Sequence, residues 1–443
     1  MKKREFLKKS AALASLAVFP SPLWSIKNPN IRLAQIGVGG MGAQDLNSMS
    51  SHSSVSVVAL CDVDLSALNE AKKIHPNAKA YSDYRIMLKE MKDEIDAVQV
   101  STPDHTHAPA SIMAMNLNKH VYCQKPLTHN PSESRLMMKI AKEKKLTTQM
   151  GIQVHSFYDY KLATILIKGG IIGKIKTVRA WTHGNSGYDG PIPMGNDPIP
   201  ESLNWNLWLG TSPERPYKKG YYHPSEWRKI VDYGCGTLGD MGVHIFDTPY
   251  NALELDSPIT VKNECRKHNG FSFPEANTVT YTFPGTRYTT NKLTWVWTDG
   301  QFPLIEDDLK LPNQDELPVQ GSMFIGEKGR LLLPHFMQEP RLIVNGDYKE
   351  IDISKYPKAL ELKSPARDYD IDTKIHYHEF VDACLGKADC STPFSYSGRL
   401  TEVILLGVIA GRFPNKKLHW DIEKGRFKES AANKFLDSEY RIF

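Results

Sequence analysis

A chain of 443 residues with 41% hydrophobic and 24% charged residues has the composition of a folded globular protein and enough length for two domains. The net charge is only +5 and no long Lys/Arg block follows the N-terminus, so nucleic acid is not an expected partner. Its six cysteines (61, 123, 235, 265, 384 and 390) include no Cys-x-x-Cys, so no structural zinc site is suggested, and the leading expectation carries no metal.

The chain opens on a basic head, Met1 to Lys9, followed by an Ala/Leu-rich run from Ser10 to Phe19. That run is too short to span a bilayer as a helix and matches the apolar region of an export signal. Lys3-Arg4-Glu5-Phe6-Leu7-Lys8 is similar to the twin-arginine motif with Lys in place of its first Arg. Residues 1–27 are therefore assigned to an export signal with Ser25 as a cleavage position. A periplasmic protein is expected, with no membrane span in the mature chain; an amphipathic N-terminal helix of a cytoplasmic protein is the alternative.

Ile31 to Ile36 has a strand pattern and turns through Gly37-Val38-Gly39-Gly40-Met41-Gly42 into a segment that can be helical. A second strand, Val55 to Leu60, ends in Cys61-Asp62, placing a carboxylate twenty residues beyond Gly42. Strand, G-x-G-x-x-G, helix, strand and acid form a dinucleotide-binding unit. Gly37 permits the tight turn, Gly39 admits a pyrophosphate close to the backbone, and Gly42 lets helix and strand pack. Gly40 and Met41 place free N–H groups at the helix start, where anions are favoured. Asp62 suits both hydroxyls of an adenosine ribose and would repel a 2'-phosphate, which favours NAD over NADP.

Leu65 to Ile74 then predicts a helix, Ala78 to Tyr81 a short strand, Tyr84 to Met91 a helix and Ile95 to Val100 a buried strand. The alternation predicts a doubly wound parallel sheet. Ser101, Thr102, Pro103, His105 and His107 follow at a carboxyl edge, where such sheets bind ligands, and are cofactor-contact candidates. A helix from Ala108 to Leu117 leads to the strand His120 to Leu127, which carries Gln124 and Lys125 to the same edge. Helix Ser132 to Lys144 and strand Leu146 to Met150 close a nucleotide domain, residues 31–150. Residues 151–443 are assigned to a substrate-binding and catalytic domain.

Between Ala180 and Gly236 Trp, Tyr, Gly and Pro crowd into irregular sequence suited to binding loops. Trp205, Trp208, Tyr217, Tyr221, Tyr222 and Trp227 offer faces for sugar rings or for a core. In Gly236-Thr237-Leu238-Gly239-Asp240-Met241-Gly242-Val243-His244, a helix would stack His244 one turn from Asp240, a pairing for proton transfer, for a capped helix start or, with Asp247, for metal. Thr278 to Phe283 and Leu293 to Trp297 alternate as strands with one covered face. Gly321 to Leu333 and Arg341 to Val344 also read as strands, Asp299 to Pro318 as an exposed loop, and His376 to Leu385 and Thr401 to Arg412 as helices. Cys384 and Cys390 are close enough in sequence to bridge.

The glycine fingerprint, Thr102 to His107 (T-P-x-x-x-H), His120 to Pro126 (H-V-x-x-x-K-P) and Gly236 to His244 (G-x-x-x-D-x-G-x-H) resemble the Gfo/Idh/MocA family of nicotinamide-dependent sugar and polyol oxidoreductases. The likeness runs from Ile31 to about Asp421. It implies a Rossmann domain followed by a domain on a largely antiparallel open sheet, NAD held in part by Gln124, Lys125 and Gln153, and Lys125, Asp240 and His244 as catalytic residues. His155, Tyr158, Trp181, Trp227 and Arg228 are substrate-contact candidates for a carbohydrate. The family's usual Glu-Lys-Pro is here Gln124-Lys125-Pro126, and loss of that carboxylate would lower the lysine pKa. Hydride exchange with a secondary hydroxyl is the leading expectation. Glycoside cleavage through transient NAD reduction and a non-catalytic sugar- or nucleotide-binding role are the alternatives. A homo-oligomer through the exposed face of the second sheet is expected.

Overall fold

The computed structural model describes residues 30–443; the expected export signal lies outside the described residues. Strands β1 (Ile31–Ile36), β2 (Val55–Cys61), β3 (Lys79–Tyr81), β4 (Ala97–Val100), β5 (His120–Cys123) and β6 (Thr148–Met150) form one parallel sheet in the order β3-β2-β1-β4-β5-β6. Helices α1 (Met41–Ser50), α2 (Leu65–Ile74), α3 (Tyr84–Glu90), α4 (Asp104–Asn116) and α5 (Pro131–Lys144) alternate with them. β4 is buried at every residue and β1 at all but one, the continuous apolar character of a sheet covered on both faces. Strand order reverses between β1 and β4, which opens a crevice at their carboxyl ends. Side chains decide where helices start. Asp64 caps α2 by accepting from the Ser66 N–H, and Asp83 caps α3 at the Arg85 N–H. Helix α4 begins at Asp104, earlier than the sequence predicts, directly after Pro103, whose φ of −58° and extended ψ of 152° make it the N-cap.

Ten strands build the second sheet: β7 (Ile175–Thr182), β8 (Thr260–Cys265), β9 (Asn277–Pro284), β10 (Thr289–Asp299), β11 (Gln320–Gly326), β12 (Arg330–Pro334), β13 (Arg341–Val344), β14 (Asp347–Lys349), β15 (Leu418–Asp421) and β16 (Arg426–Phe427). β7 and β10 pair parallel at its centre, and the remaining pairs are antiparallel. The stretch Gly321 to Leu333 is a hairpin rather than one strand, with Gly321 opposite Pro334. Helices α6 (Tyr158–Lys168), α7 (Trp205–Leu209), α8 (Val243–Ala252), α9 (Pro357–Leu360), α10 (Tyr369–Cys384) and α11 (Phe394–Ala410) complete the described chain, with a π-helical turn, Leu238–Gly242, leading into α8.

Alternation along β7 separates two layers. Val178 and Ala180 join the core with Val243 and Phe246 of α8, and Phe246 stacks on Trp295 at 4.3 Å. Trp181 faces the other way and packs with Leu309, Leu311, Met323, Leu332 and Ile343. The 299–318 loop is therefore only partly exposed, since Leu309 and Leu311 form a lid over Trp181. Helix α10 returns to the first sheet, where Tyr377, Phe380 and Val381 share a cluster with Ile31, Leu33 and Met49. Cys384 and Cys390 are free thiols there.

Candidate active site

The glycine loop has the shape of a dinucleotide cradle. Gly37 has φ +83°, and a Cβ there would lie 2.5 Å from the Ser101 carbonyl oxygen, so only glycine lets β1 turn against the end of β4. A Cβ on Gly42 would lie 2.4 Å from the Gly37 carbonyl, whereas Gly40, at φ +53°, opens onto free space. Asp62 accepts from the Val38 N–H at 2.8 Å and the Asp64 N–H at 2.9 Å, which fixes its carboxylate beside the loop. Burial raises its pKa. The Thr102 hydroxyl is buried with no hydrogen-bond partner. A closed glycine turn, an ordered acid at the end of β2 and an unpartnered hydroxyl at the end of β4 fit a bound NAD.

Lys125, at the end of β5, and Asp240, in the π-helical turn, meet across the two sheets. The Lys125 Nζ donates to Asp240 Oδ1 at 2.7 Å and to the Asp240 carbonyl at 2.8 Å. Asp240 also accepts from Ser186 Oγ at 3.0 Å and from Arg228 Nε at 3.3 Å. Burial alone would raise the Asp240 pKa, but Lys125 and Arg228 hold it well below the usual carboxylate range. The expected Asp240–His244 pairing is not made. His244 Nδ1 is buried without a partner. Asp240 is instead taken up by Lys125, Ser186 and Arg228. Burial, with the Lys125 ammonium adding to it, lowers the His244 pKa well below its ordinary value and keeps the ring neutral. A lysine cation, an ionised aspartate and a neutral histidine thus stand together, suited to stabilising an oxyanion and taking a proton.

Behind Lys125 lies a buried carboxylate that no sequence motif marks. Asp45, on α1, accepts from Gln124 Nε2 at 3.0 and 2.9 Å, from Ser101 Oγ at 2.6 Å and from the Tyr377 hydroxyl of α10. Gln124 Oε1 accepts from the Lys125 N–H at 3.1 Å, and Gln153 Nε2 donates to the Tyr377 oxygen at 2.8 Å. Three of the cofactor-contact candidates, Ser101, Gln124 and Gln153, are therefore tied to one acid or its neighbour. The carboxylate missing at position 124 stands across the hydrogen bond, at position 45. A glutamate in place of Gln124 would face it as a like charge.

Other candidates fall into place differently. His105 and His107 are 3% and 1% exposed and turn inward. The His105 ring contacts the Tyr233 and Trp208 carbonyls, and His107 bridges the Thr102 and Pro126 carbonyls at 2.8 Å each. Burial pushes them down to about 3 and about 4. They fasten the β4 edge rather than reach a ligand. Trp181 is fully buried on the sheet face away from α8 and donates to the Pro318 carbonyl, so it is core and not a substrate contact. Trp227 belongs to a satellite core with Trp205, Trp208, Tyr217, Tyr222 and Tyr233, which corrects its assignment to substrate. It supports Arg228, whose guanidinium lies 4.3 Å over its ring. Tyr158 stands beside Arg367 at the rim. His155 is held by both Asp247 oxygens at 2.9 Å, and Tyr396 donates to Asp247 at 2.7 Å. Asp240 and Asp247 are thus committed to Lys125 and His155, and do not converge with His244.

The sequence reading passed over two further residues. Asp104, 4% exposed, opens α4; burial raises it to about 7, and it feels Arg228, Asp240 and Lys125. His335, just past β12, has its ring centroid 6.1 Å from that of His244.

The family description "Oxidoreductase family, NAD-binding Rossmann fold" matches residues 31–152, and "Oxidoreductase family, C-terminal alpha/beta domain" matches residues 163–287. A glycosyl hydrolase family 109 protein of Stenotrophomonas maltophilia is 37% identical over 135 residues, 28% of this chain and 29% of that protein. A levoglucosan dehydrogenase of Pseudarthrobacter phenanthrenivorans is 30% identical over 191 residues, 43% of this chain and 40% of that one. The chain thus spans less than half the length of either relative. Among solved structures, the WlbA dehydrogenase from Chromobacterium violaceum, in complex with NADH and UDP-GlcNAcA, superposes with a TM-score of 0.62 at 15% identity, covering 91% of this chain and 99% of that one. That likeness is one of fold.

Proposed function

Because the chain belongs to the Gfo/Idh/MocA family of NAD-binding oxidoreductases, we propose that it transfers hydride between nicotinamide and a secondary hydroxyl of a sugar, polyol or glycoside. The observation that carries this reading is the meeting of Lys125 from the first sheet with Asp240 from the turn before α8, beside a neutral His244. The glycine loop, Asp62 and Thr102 would hold NAD, which would supply the hydride acceptor. Lys125 donates to the substrate oxygen and stabilises the charge that grows there as hydride leaves. Asp240, fixed by Arg228 and Ser186, keeps the Lys125 ammonium in place. Neutral His244 takes the hydroxyl proton. Holding Lys125 at the end of β5, and Asp240 and His244 on the turn and helix packed against the second sheet, supplies the orientation.

Replacing Lys125 by Met and His244 by Ala tests the reading. Each variant should lose roughly a hundredfold or more in turnover while keeping its affinity for NAD. Near-normal turnover in both would reject the assignment. Similarity to a glycosyl hydrolase family 109 protein favours a second reading, glycoside cleavage in which NAD is reduced and reoxidised within one turnover. It predicts sugar release without accumulation of reduced cofactor.

We also propose export through the N-terminal segment, on its basic head and apolar run, and self-association through the outer face of the second sheet. Thr278, Thr280 and Thr282 alternate there with buried Val279, Tyr281 and Phe283 and stay partly uncovered. Cell fractionation tests the first, and light scattering tests the second.

A further inference from the structure

We infer that His335 sets substrate specificity by donating a hydrogen bond to the hydroxyl next to the one oxidised, so that the site selects vicinal diols. This inference rests on the hydride-transfer reading and deepens it.

His335 comes from the second sheet, where its N–H donates to the Gln320 carbonyl at 2.9 Å and anchors the residue at the end of β12. The residue as a whole is partly exposed, and its ring lies 6.1 Å, centroid to centroid, from that of His244, tilted by 36°. Two rings at that separation can address two neighbouring oxygens of one small molecule, because adjacent hydroxyls of a polyol are about a hydrogen bond apart.

The tautomer follows from the partner. The hydroxyl of Tyr160, a residue 3% exposed, meets His335 Nδ1, and it has no second acceptor among the described residues. A buried phenol O–H without another acceptor donates to the ring. Nδ1 is then the acceptor, and Nε2 carries the hydrogen. Tyr160 sits on α6, packed edge-on against both His335 and Phe157, so the ring orientation is imposed from outside the site.

Burial and the Lys125 ammonium push His335 down to about 3, so it stays neutral across physiological pH. It is then a fixed donor that does not compete with His244 for the proton. A site that satisfies a hydroxyl with a pre-oriented donor discriminates against the substrate lacking it, because the donor is left unpaired.

The test compares wild type, His335→Ala, His335→Gln and Tyr160→Phe with myo-inositol, levoglucosan and D-glucose. For each compound turned over, the derivative lacking the hydroxyl beside the oxidised carbon is measured as well. Wild type should lose about tenfold in kcat/KM on removal of that hydroxyl. His335→Ala should lose about as much on the parent compound and nothing further on the deoxy derivative, while His335→Gln, which keeps an N–H donor, recovers part of the loss. Tyr160→Phe should fall between. NAD affinity by fluorescence titration and the circular dichroism spectrum should be unchanged in all variants. Equal losses by His335→Ala on parent and deoxy compounds, with wild type active, would overturn the specificity role and leave the hydride-transfer reading intact. Wild type that reduces no NAD with any compound and releases no sugar from any glycoside would overturn that reading, and this inference with it.

Discussion

Replacing Gln124 by glutamate tests whether Asp45 carries the missing carboxylate. In the native chain Gln124 Nε2 lies 3.0 and 2.9 Å from the two Asp45 oxygens. Two ionised carboxylates about 3 Å apart repel by roughly 5 kcal/mol at an effective dielectric of about 20. Keeping the introduced glutamate protonated at pH 7 costs at most about 3.7 kcal/mol, from about 2.7 pH units above its free pKa at about 1.36 kcal/mol each. The proton is therefore retained, and a hydrogen bond to Asp45 returns part of the cost, leaving Gln124→Glu destabilised by about 2–4 kcal/mol at pH 7. The folded-state pKa of the new glutamate is raised. Its contribution is thus fully present below about pH 4.3 and is lost as pH rises towards the raised value. Urea denaturation from pH 4 to 8 should show the variant close to wild type at pH 4 and falling behind by about 1.4 kcal/mol per pH unit above it. Adding Asp45→Asn should remove the pH dependence and restore most of the stability. A deficit independent of pH, or a double variant no better than Gln124→Glu, would refute the argument.

Asp62→Asn should weaken NAD binding by roughly tenfold to a hundredfold through loss of charge-assisted hydrogen bonds to ribose, measured by fluorescence titration. Asp104, raised to about 7, is protonated in the folded chain and ionised in the unfolded one between about pH 4 and pH 7. Wild-type stability should therefore fall through that window, by up to about 4 kcal/mol, and Asp104→Asn should flatten the profile in denaturation experiments. Trp181→Ala should cost about 3–5 kcal/mol in stability by opening a cavity, with KM for any substrate unchanged; a large rise in KM at normal stability would return Trp181 to the substrate site.

What could be read in advance divides along a physical line. Gly37, Gly39, Gly42 and Asp62 were legible because the cofactor unit is local in sequence: about thirty residues contain both strands, the turn and the acid. Lys125 and Asp240 were legible through their motifs, yet their partnership was not. The spacing of Asp240 and His244 suggests that the two pair with each other, whereas Asp240 is claimed by Lys125, Ser186 and Arg228 from other parts of the chain. Asp45 and Tyr377 are 332 residues apart, as are Tyr160 and His335 by 175, and no pattern in a single chain announces such contacts. The aromatic-rich region suited either ring stacking or packing, and packing prevailed for Trp205, Trp208, Tyr217, Tyr222 and Trp227. A long irregular segment needs its own small core.

Absorbance of reduced nicotinamide, followed while purified protein and NAD meet a panel of sugars, polyols and glycosides, with chromatography of the same mixtures, tests the central proposal most directly. Hydride transfer to NAD from at least one compound, abolished in Lys125→Met and His244→Ala proteins that still bind NAD, is the predicted result. Bound NAD with neither reduction nor glycoside cleavage across the panel would contradict it.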